Sequence, residues 1–281
     1  MNAYLKSLYK TTSQISMRTM LFVWLLIVIF PFLWMTIISF RDPIDAFSST
    51  PTLFTNYTLD NFYKVWIIDE FYMKFVNTII ITFGVVVLSL STGCLAAYAL
   101  SRYSGALGFW LLICALVFRA LPYTSLLPAY KIVFHELGLL DSYGTLVIVL
   151  VALNQPFTIW MLRSFFASIP KDLDEAAMVD GCGRISAFFR VIMPVMWHGV
   201  ITTGLFSFLL AYNDFIVSSQ LLSGDKQTVV STLSIYMNAD DDPFLLMQGI
   251  AGAVSIMVPL IFIVLFFQKQ IVAGLTQGAV K

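Results

Sequence analysis

Charged residues are scarce along this chain. Only 11% of its 281 residues are Asp, Glu, Lys or Arg, whereas 59% are hydrophobic. A water-soluble domain of this length needs a polar surface, and its usual share of charged residues is about twice as large. The sixteen basic and sixteen acidic residues also balance, so the net charge gives no indication of a nucleic-acid partner. The composition therefore argues against a soluble protein and favours a membrane protein.

Residues that build reactive sites are also few. The sequence has no G-x-x-x-x-G-K-[ST] motif, which is the loop that holds nucleotide phosphates. Its two histidines, His135 and His198, lie far apart, so no metal cluster is expected. Cys94 and Cys114 fall in hydrophobic runs and Cys182 falls between two of them, so no disulfide is expected. We expect no catalytic site, metal or cofactor on this chain, and its energy must come from another chain or an ion gradient.

Long hydrophobic runs, in contrast, fill most of the chain. A helix of about 20 apolar residues crosses the ~30 Å hydrocarbon core of a bilayer. Six runs of this kind occur, at residues 20–40, 75–100, 107–129, 142–162, 195–217 and 246–267. The first is too long for the core of a signal peptide and is expected to be retained. The sequence predicts an all-α membrane protein with six transmembrane helices, in one domain over residues 1–281.

The distribution of charge between the runs predicts the orientation. With the N-terminus inside, the inner segments hold most of the Lys and Arg residues, and the outer segments hold most of the Asp and Glu residues. Short cytoplasmic segments usually carry this excess of basic residues. Both termini are therefore predicted to be cytoplasmic, and so is the segment 163–194 between the fourth and fifth runs.

Polar residues inside the hydrophobic runs are candidate functional residues. Polar groups in a bilayer need partners or a water-filled cavity, because unpaired burial costs several kcal/mol. The candidates for a solute pathway are Arg119, Asn154, Gln155, Asn213 and Asp214. An equally strong interpretation is that they form hydrogen bonds between helices and hold the bundle together. Asn77, alone near the start of the second run, is expected to be structural.

Prolines divide the third hydrophobic run. Pro122 and Pro128 lie within it, close to Arg119. Because proline lacks a backbone N–H and clashes with the preceding turn, this run is not expected to form a straight helix.

The segment 163–194 is longer and more polar than a simple connection requires. Pro170 stands near the start of a predicted helix, Ser168 is a candidate N-cap, and Gly181 is expected to close the helix. Acidic residues fill its first turns, where the helix dipole favours negative charge. One small apolar face is predicted, formed by Leu173, Ala176 and Ala177.

A second helix is predicted after Gly181. Its apolar residues recur at i, i+3, i+4 and i+7, at Ile185, Phe188, Phe189 and Ile192. This pattern predicts an amphipathic helix at the membrane surface, from which Pro194 leads into the fifth run.

The same segment resembles a known family motif. Glu175-Ala176-Ala177 is followed after three residues by Gly181, and after nine more by Val191-Ile192-Met193-Pro194. This spacing is similar to the E-A-A-x3-G-x9-I-x-L-P loop of permease subunits in bacterial binding-protein-dependent ABC importers, with Val and Met in place of the usual Ile and Leu. The stretches 39–62, 75–103 and 266–281 resemble carbohydrate-uptake permeases similar to the smaller maltose-system permease.

The resemblance implies a function and partners. The loop would be a coupling helix seated in a cleft of a cytoplasmic ATPase, with Glu175, Ala176, Ala177, Asp180, Gly181 and Pro194 as its coupling residues. ATP and Mg would bind to that ATPase. The complex would contain a second permease, two ATPase subunits and a periplasmic or lipid-anchored solute-binding protein, in the bacterial cytoplasmic membrane, and would import a sugar or sugar derivative.

Two other function classes stay open on the sequence alone. A secondary transporter or channel driven by an ion gradient would explain Arg119 and Asp214 inside the membrane, but not the long, polar loop between the fourth and fifth runs. An interaction scaffold without transport is disfavoured by the polar residues in the hydrophobic runs.

Overall fold

The computed structural model describes residues 2–46, 56–103, 105–120, 123–238 and 242–277. Within these ranges the regular structure is helical, apart from an isolated β-bridge between Arg41 and Tyr57. The α-helices are α1 Asn2–Ser39, α2 Pro43–Ala46, α3 Asp60–Tyr63, α4 Phe71–Arg102, α5 Ala106–Ala120, α6 Leu127–Glu136, α7 Tyr143–Ala167, α8 Asp172–Val179, α9 Arg184–Ala187, α10 Met193–Tyr212, α11 Ile216–Leu221, α12 Val229–Met237 and α13 Pro243–Gln277. The predicted all-α class is confirmed.

Five helical runs are long and apolar enough to cross a membrane. They coincide with the first, second, fourth, fifth and sixth predicted runs, and extend over Gln14–Ser39, Phe71–Arg102, Tyr143–Ala167, Arg184–Tyr212 and Pro243–Val272. The chain is therefore a multi-pass membrane protein.

The third predicted run is not one helix. It contains the 15-residue helix α5, a 3-10 turn at Tyr123–Leu126 and the start of α6. Pro128 lies in the first turn of α6, where its missing N–H leaves no intrahelical hydrogen bond unmade. The expectation that this run would not be straight is confirmed. Pro122 lies outside the described residues.

The residues group into two compact units, one of residues 1–70 and 235–257 and the other of residues 71–234 and 258–281. The single domain inferred from the sequence stays a prediction. In the first unit, the side-chain amide of Asn61 donates hydrogen bonds to the carbonyls of Ser39 and Arg41, at 3.0 and 2.8 Å. Trp66 donates its ring N–H to the hydroxyl of Ser255 at 2.9 Å. These bonds fix the chain that follows α1.

Three long helices form the centre of the second unit. α4, α7 and α10 pack against one another in pairs. Their closest approach needs small residues, because a Cβ atom added at Gly93 would lie 3.1 Å from side-chain atoms of Gln155 and Thr158. Small residues at helix contacts allow this close packing within membranes.

A loop of the second unit, residues 222–228, is fastened to α4 and to the start of α7. The amide of Asn77 donates to the carbonyls of Asp225 and Gln227, at 2.7 and 3.1 Å, and accepts from the hydroxyl of Tyr143. Asn77 therefore has the structural role expected of it. On the other side, the carboxylate of Asp141 accepts from the backbone N–H of Ser223 at 2.9 Å.

Candidate functional sites

The first candidate site is built on α8. Asp172, Asp174 and Glu175 occupy its first turn, where the partial positive charge of the helix N-terminus stabilises carboxylates. The N-cap residue is Lys171, and no side chain caps the helix. The prediction that Ser168 caps it is wrong. The hydroxyl of Ser168 instead donates to the carbonyl of Phe165 at 2.7 Å, because Ser168 lies at the end of α7, where such carbonyls lack helical partners.

The predicted glycine bend follows α8. Gly181 has φ +88°, in the left-handed region. Its N–H donates to the carbonyl of Met178, and the N–H of Cys182 donates to that of Ala177. These bonds satisfy carbonyls at the end of the helix, which is the usual reason for a left-handed glycine there. Nothing lies within 4 Å of a Cβ added at Gly181, so its conformation rather than crowding requires glycine.

The second helix predicted after Gly181 begins at Arg184 and continues without a break into the fifth membrane run. α9, a π-helical turn at Phe188–Ile192 and α10 form one helical run from Arg184 to Tyr212. Pro194 lies in the first turn of α10, within this run. The π turn provides a local change of hydrogen bonding, which is how membrane helices accommodate a proline.

The π turn also divides the apolar face that the sequence pattern predicted. Phe188 and Ile192 are 4% and 0% exposed, whereas Ile185 and Phe189 are 76% and 58% exposed. The regular 3.6-residue period places all four on one face, but a wider turn shifts the residues before it around the axis. Half of the predicted face is therefore available to a partner or to lipid.

The predicted coupling residues are mostly exposed at one projecting surface. Ala177 is buried, whereas exposed positions are held by Glu175, Ala176, Asp180, Gly181 and Pro194. Three large apolar side chains lie beside them, and we call these the loop tip: Met178, Val179 and Ile185. Val179 is 87% exposed. Exposed apolar side chains at the end of a loop and at the start of the following helical run are typical of a protein-binding surface.

Sequence reasoning missed the contact that fixes α8 to the end of α4. Nε of Arg102 lies 2.8 Å from Oδ2 of Asp174, and the hydroxyl of Tyr98 donates to Oδ1 of the same carboxylate. Arg102 lies at the end of α4 and Asp174 in the first turn of α8. No local pattern links residues so far apart in the chain.

The second candidate site is a cavity of about 330 Å³ in the second unit. Its polar lining comes from three of the five predicted pathway residues, Arg119, Asn154 and Asp214. The rest is apolar and consists of Leu126, Leu150, Leu153 and Leu210. Asn154 is 8% exposed, and in the described part of the chain its side-chain amide has no hydrogen-bond partner. Donors and acceptors of Asn154 are thus available to a polar solute.

The other two predicted pathway residues do not line this cavity. The Gln155 side chain accepts from the Ser89 hydroxyl at 3.0 Å and donates to Thr92 at 3.1 Å, so it links α7 to α4. The Asn213 amide donates to the carbonyl of Leu209, one turn back on its own helix. Asp214 has a local partner as well, since its carboxylate accepts from the backbone N–H of Ser218 at 2.8 Å.

Comparison with known families gives the identification. Residues 89–277 match the family described as "Binding-protein-dependent transport system inner membrane component". The chain belongs to this family. Its members are transport permeases, so the chain is a transport component and not an enzyme. The resemblance to importer permeases of carbohydrate-uptake type, first found in the loop motif, is confirmed.

Individual relatives cover almost the whole permease. It is 33% identical over 264 residues to the trehalose/maltose transport permease MalG of Thermococcus litoralis, covering 91% of this chain and 92% of that one. It is 32% identical over 258 residues to the diacetylchitobiose uptake permease DasC of Streptomyces coelicolor, covering 90% and 92%. The sulfoquinovosyl glycerol permease SmoH of Agrobacterium fabrum is 30% identical over 259 residues, covering 90% and 89%.

A solved structure has the same fold. It is that of a bacterial ABC transporter involved in the import of the acidic polysaccharide alginate, with a TM-score of 0.75 and 22% identity. The match covers 91% of this permease and 95% of that chain. An ABC importer permease fold is thereby established.

Proposed function

We propose that this permease is one of two membrane subunits of an ATP-driven importer for a sugar or sugar derivative. The observation that carries the proposal is its 30–33% identity, along about nine-tenths of both chains, to permeases named for trehalose/maltose, diacetylchitobiose and sulfoquinovosyl glycerol. All four of these named solutes are glycosides or oligosaccharides. A related solute rich in hydroxyl groups is the simplest inference for this chain.

The membrane topology that we propose has six spans and both termini in the cytoplasm of a bacterium. α5 alone, at 15 residues, is about 22 Å long and too short for a ~30 Å hydrocarbon core. The 3-10 turn and α6 continue the same region, which supports a sixth, broken crossing. Broken helices within membranes occur where the backbone lines a cavity, and α5 contributes Arg119 to one.

The proposed docking surface for a cytoplasmic ATPase is the loop tip with Glu175 and Asp180. Its apolar side chains, Met178, Val179 and Ile185, are exposed next to Glu175 and Asp180. A surface with an apolar centre and charged edge suits a protein partner. ATP and Mg would bind on the ATPase, and a second permease and a solute-binding protein would complete the importer.

The cavity between α5, α7 and α10 is the proposed part of the solute pathway. Its volume of about 330 Å³ is within the usual range for small-molecule sites, about 300–1,000 Å³. The N–H groups of Arg119 and the amide of Asn154 can donate to sugar hydroxyls, while the leucines contact the apolar faces of sugar rings.

Reconstitution tests the proposal. The permease is co-purified with the ATPase, second permease and binding protein from its gene neighbourhood, and uptake of labelled sugars into vesicles is measured. A thermal-shift screen of the binding protein against a carbohydrate panel selects the sugar. We expect uptake that requires ATP and the binding protein. Uptake by the permease alone, driven by a proton or sodium gradient, would instead show a secondary transporter.

Docking has its own test. Val179→Asp places a charge in the apolar centre of the surface, and Glu175→Lys places a positive charge at the positive end of the α8 dipole. Both changes are expected to lower ATPase co-purification. The control is Lys131→Asp, which places an acidic side chain at an exposed position on α6, outside the docking surface.

A further inference from the structure

We propose that the Arg102–Asp174 ion pair, held together with Tyr98, is the contact through which movement of α8 reaches the second membrane run. This inference rests on the proposed function, since it assumes that an ATPase displaces α8. It names Arg102, Tyr98 and Asp174 as positioning residues, which act on transport through the helices they join and do not contact the solute.

The ion pair joins three helices at one point. Arg102 is the last residue of α4, and its Nε lies 2.8 Å from Oδ2 of Asp174 on α8. The NH1 group of Arg102 also donates to the carbonyls of Phe166 and Ile169, both at 3.2 Å, at the end of α7. A single guanidinium therefore ties α8 to the inner ends of two packed membrane helices.

Tyr98 adds a second connection to the same carboxylate. Its hydroxyl donates to Oδ1 of Asp174, so both carboxylate oxygens contact α4. The Tyr98 ring packs 4.9 Å from the Phe188 ring in the π turn and 5.7 Å from the Phe166 ring on α7. Asp174 is thereby held by a residue that is itself fixed by aromatic packing on both sides.

Apolar packing cannot replace this polar contact. A cavity of about 450 Å³ lies next to it, between α8 and the end of α4, lined among others by Ala99, Lys171, Met178 and Arg184. Apart from the ion pair, the main packing of α8 is against α9 and the π turn. Without the contacts of Asp174 to Arg102 and Tyr98, α8 would retain its connection to α10 but would lose its polar attachment to α4.

The burial of the pair makes it sensitive to substitution. The side chains of Arg102 and Asp174 are only 17% and 13% exposed. Removing one member of a buried pair leaves the other charge without compensation, which is far more disruptive than the loss of a surface ion pair. A displacement of α8 that kept the pair intact would therefore carry α4 with it.

The experiment compares two neutralised carboxylates on the same turn. Asp174→Asn breaks the ion pair, and Asp172→Asn is the matched control, because Asp172 is an exposed acid in the same first turn. The assay is sugar uptake per ATP hydrolysed by the assembled importer in vesicles, with ATPase co-purification as the measure of docking. We expect Asp174→Asn to lower uptake per ATP by at least about fivefold, with ATPase retention and the control unchanged.

Conservative and partial changes sharpen the comparison. Asp174→Glu keeps the charge and is expected to recover most of the uptake that Asp174→Asn loses. Arg102→Gln is expected to match Asp174→Asn, because it breaks the same pair from the other side. Tyr98→Phe removes one hydrogen bond without leaving an unpaired charge, so it is expected to insert normally and to lower uptake per ATP by a smaller factor. If the Arg102 and Asp174 variants fail to insert into the membrane, uptake per ATP in Tyr98→Phe tests the inference instead.

Three results would overturn the inference. The first is equal uptake per ATP in Asp174→Asn and Asp172→Asn, and the second is wild-type coupling in Tyr98→Phe. The third is loss of the ATPase from Asp174→Asn alone, which would make the pair part of docking. Each leaves the proposed function intact as long as the wild-type importer shows ATP-dependent uptake. A wild-type permease that retains no ATPase would instead contradict the proposed function itself.

Discussion

The guanidinium carbon of Arg119 lies 5.1 Å from the centre of the Phe157 ring, so a cation at the end of α5 rests against an aromatic face of α7. Among the described residues, no carboxylate lies within ion-pair distance of Arg119. The attraction between a cation and an aromatic ring holds the group in place and leaves its N–H donors free at the edge. Arg119 is therefore positioned at the cavity without being neutralised there.

We expect the cavity variant Asn154→Leu to impair uptake but not assembly. Leucine is branched at Cγ like asparagine, although it is larger, and it cannot form hydrogen bonds; each lost bond to a neutral solute contributes about 0.5–1.5 kcal/mol. The expected change is a rise of about three- to tenfold in the KM for uptake.

Asn213→Ala and Asp214→Ala complete the cavity experiment. All three variants should retain the partner permease and ATPase on purification. A loss with Asn154→Leu and Asp214→Ala alone would confine the pathway to the cavity, whereas an equal loss with Asn213→Ala would extend it to the outer end of α10. Normal KM values in all three variants would show that the solute passes elsewhere.

Gly181→Val should uncouple transport from ATP hydrolysis, whereas Gly183→Val should not. Gly181 has φ +88°, where a residue with a Cβ atom costs about 1–2 kcal/mol, and a branched side chain is the least tolerated. Gly183 has φ −69° and ψ 161°, an extended conformation that valine adopts readily. Space is equal at both, since nothing lies within 4 Å of an added Cβ.

The readouts for the glycine pair are uptake, ATP hydrolysis and ATPase co-purification in the reconstituted importer. Because size and chemistry match in the two variants, a difference between them reports on the backbone bend alone. Equal behaviour of both variants would show that the bend at Gly181 has no part in coupling.

Single cysteines should label from opposite sides of the membrane. The background carries Cys114→Ser and Cys182→Ser, because those two cysteines are not buried, whereas Cys94 is. Ser223→Cys should react with an impermeant maleimide in intact cells, and Val179→Cys only after the membrane is opened; both positions are exposed. Labelling of Val179→Cys in sealed cells would reverse the orientation and remove α8 from the reach of a cytoplasmic ATPase.

Asp141 should make the thermal stability of the protein depend on pH, because its carboxylate holds the loop of residues 222–228. The hydrogen bond from the backbone N–H of Ser223, assisted by the charge of Lys226, lowers the pKa of the Asp141 carboxyl below its ordinary value. A carboxyl with a lowered pKa stabilises the folded state above the unfolded value of about 3.9, and this stabilisation is lost as the pH falls through the folded pKa. Asp141→Asn, which tolerates the same φ of +58°, should therefore lower the unfolding temperature at pH 7 but make little difference near pH 3.

The matched control for Asp141 is Glu136→Gln, an exposed acid on the same outer segment. It should leave the unfolding temperature unchanged at both pH values. A constant difference between wild type and Asp141→Asn from pH 7 to pH 3 would show that the ionised carboxylate is not what stabilises the loop.

Features that depend on neighbouring residues were predictable from the sequence. Five of the six predicted apolar runs form helices that are long enough to cross a membrane. They were predictable because the thickness of the bilayer determines how many consecutive apolar residues a spanning helix needs. Gly181 was recognisable as a left-handed position, since helix ends commonly require one. Asn77 was recognisable as structural, because an isolated amide at the end of a membrane run has few other uses.

Features that depend on contacts across the fold were not predictable. Tyr98 and Asp174 are 76 positions apart, and no local pattern pairs them. Asn154 and Gln155 are adjacent in sequence but point in different directions on α7, one to the cavity and the other to Ser89. The π turn at Phe188–Ile192 inserts one residue into a regular period, and nothing in the composition of that stretch marks it.

The helical run from Arg184 to Tyr212 is continuous, so a small tilt at one end produces a larger displacement at the other end. At 29 residues it is about 43 Å long, so a tilt of about 5° around its inner end would move its outer end by about 4 Å. Leu210 and Asp214, which line the cavity, stand at that outer end. A tilt of that size would move this wall of the cavity by more than the diameter of a water molecule.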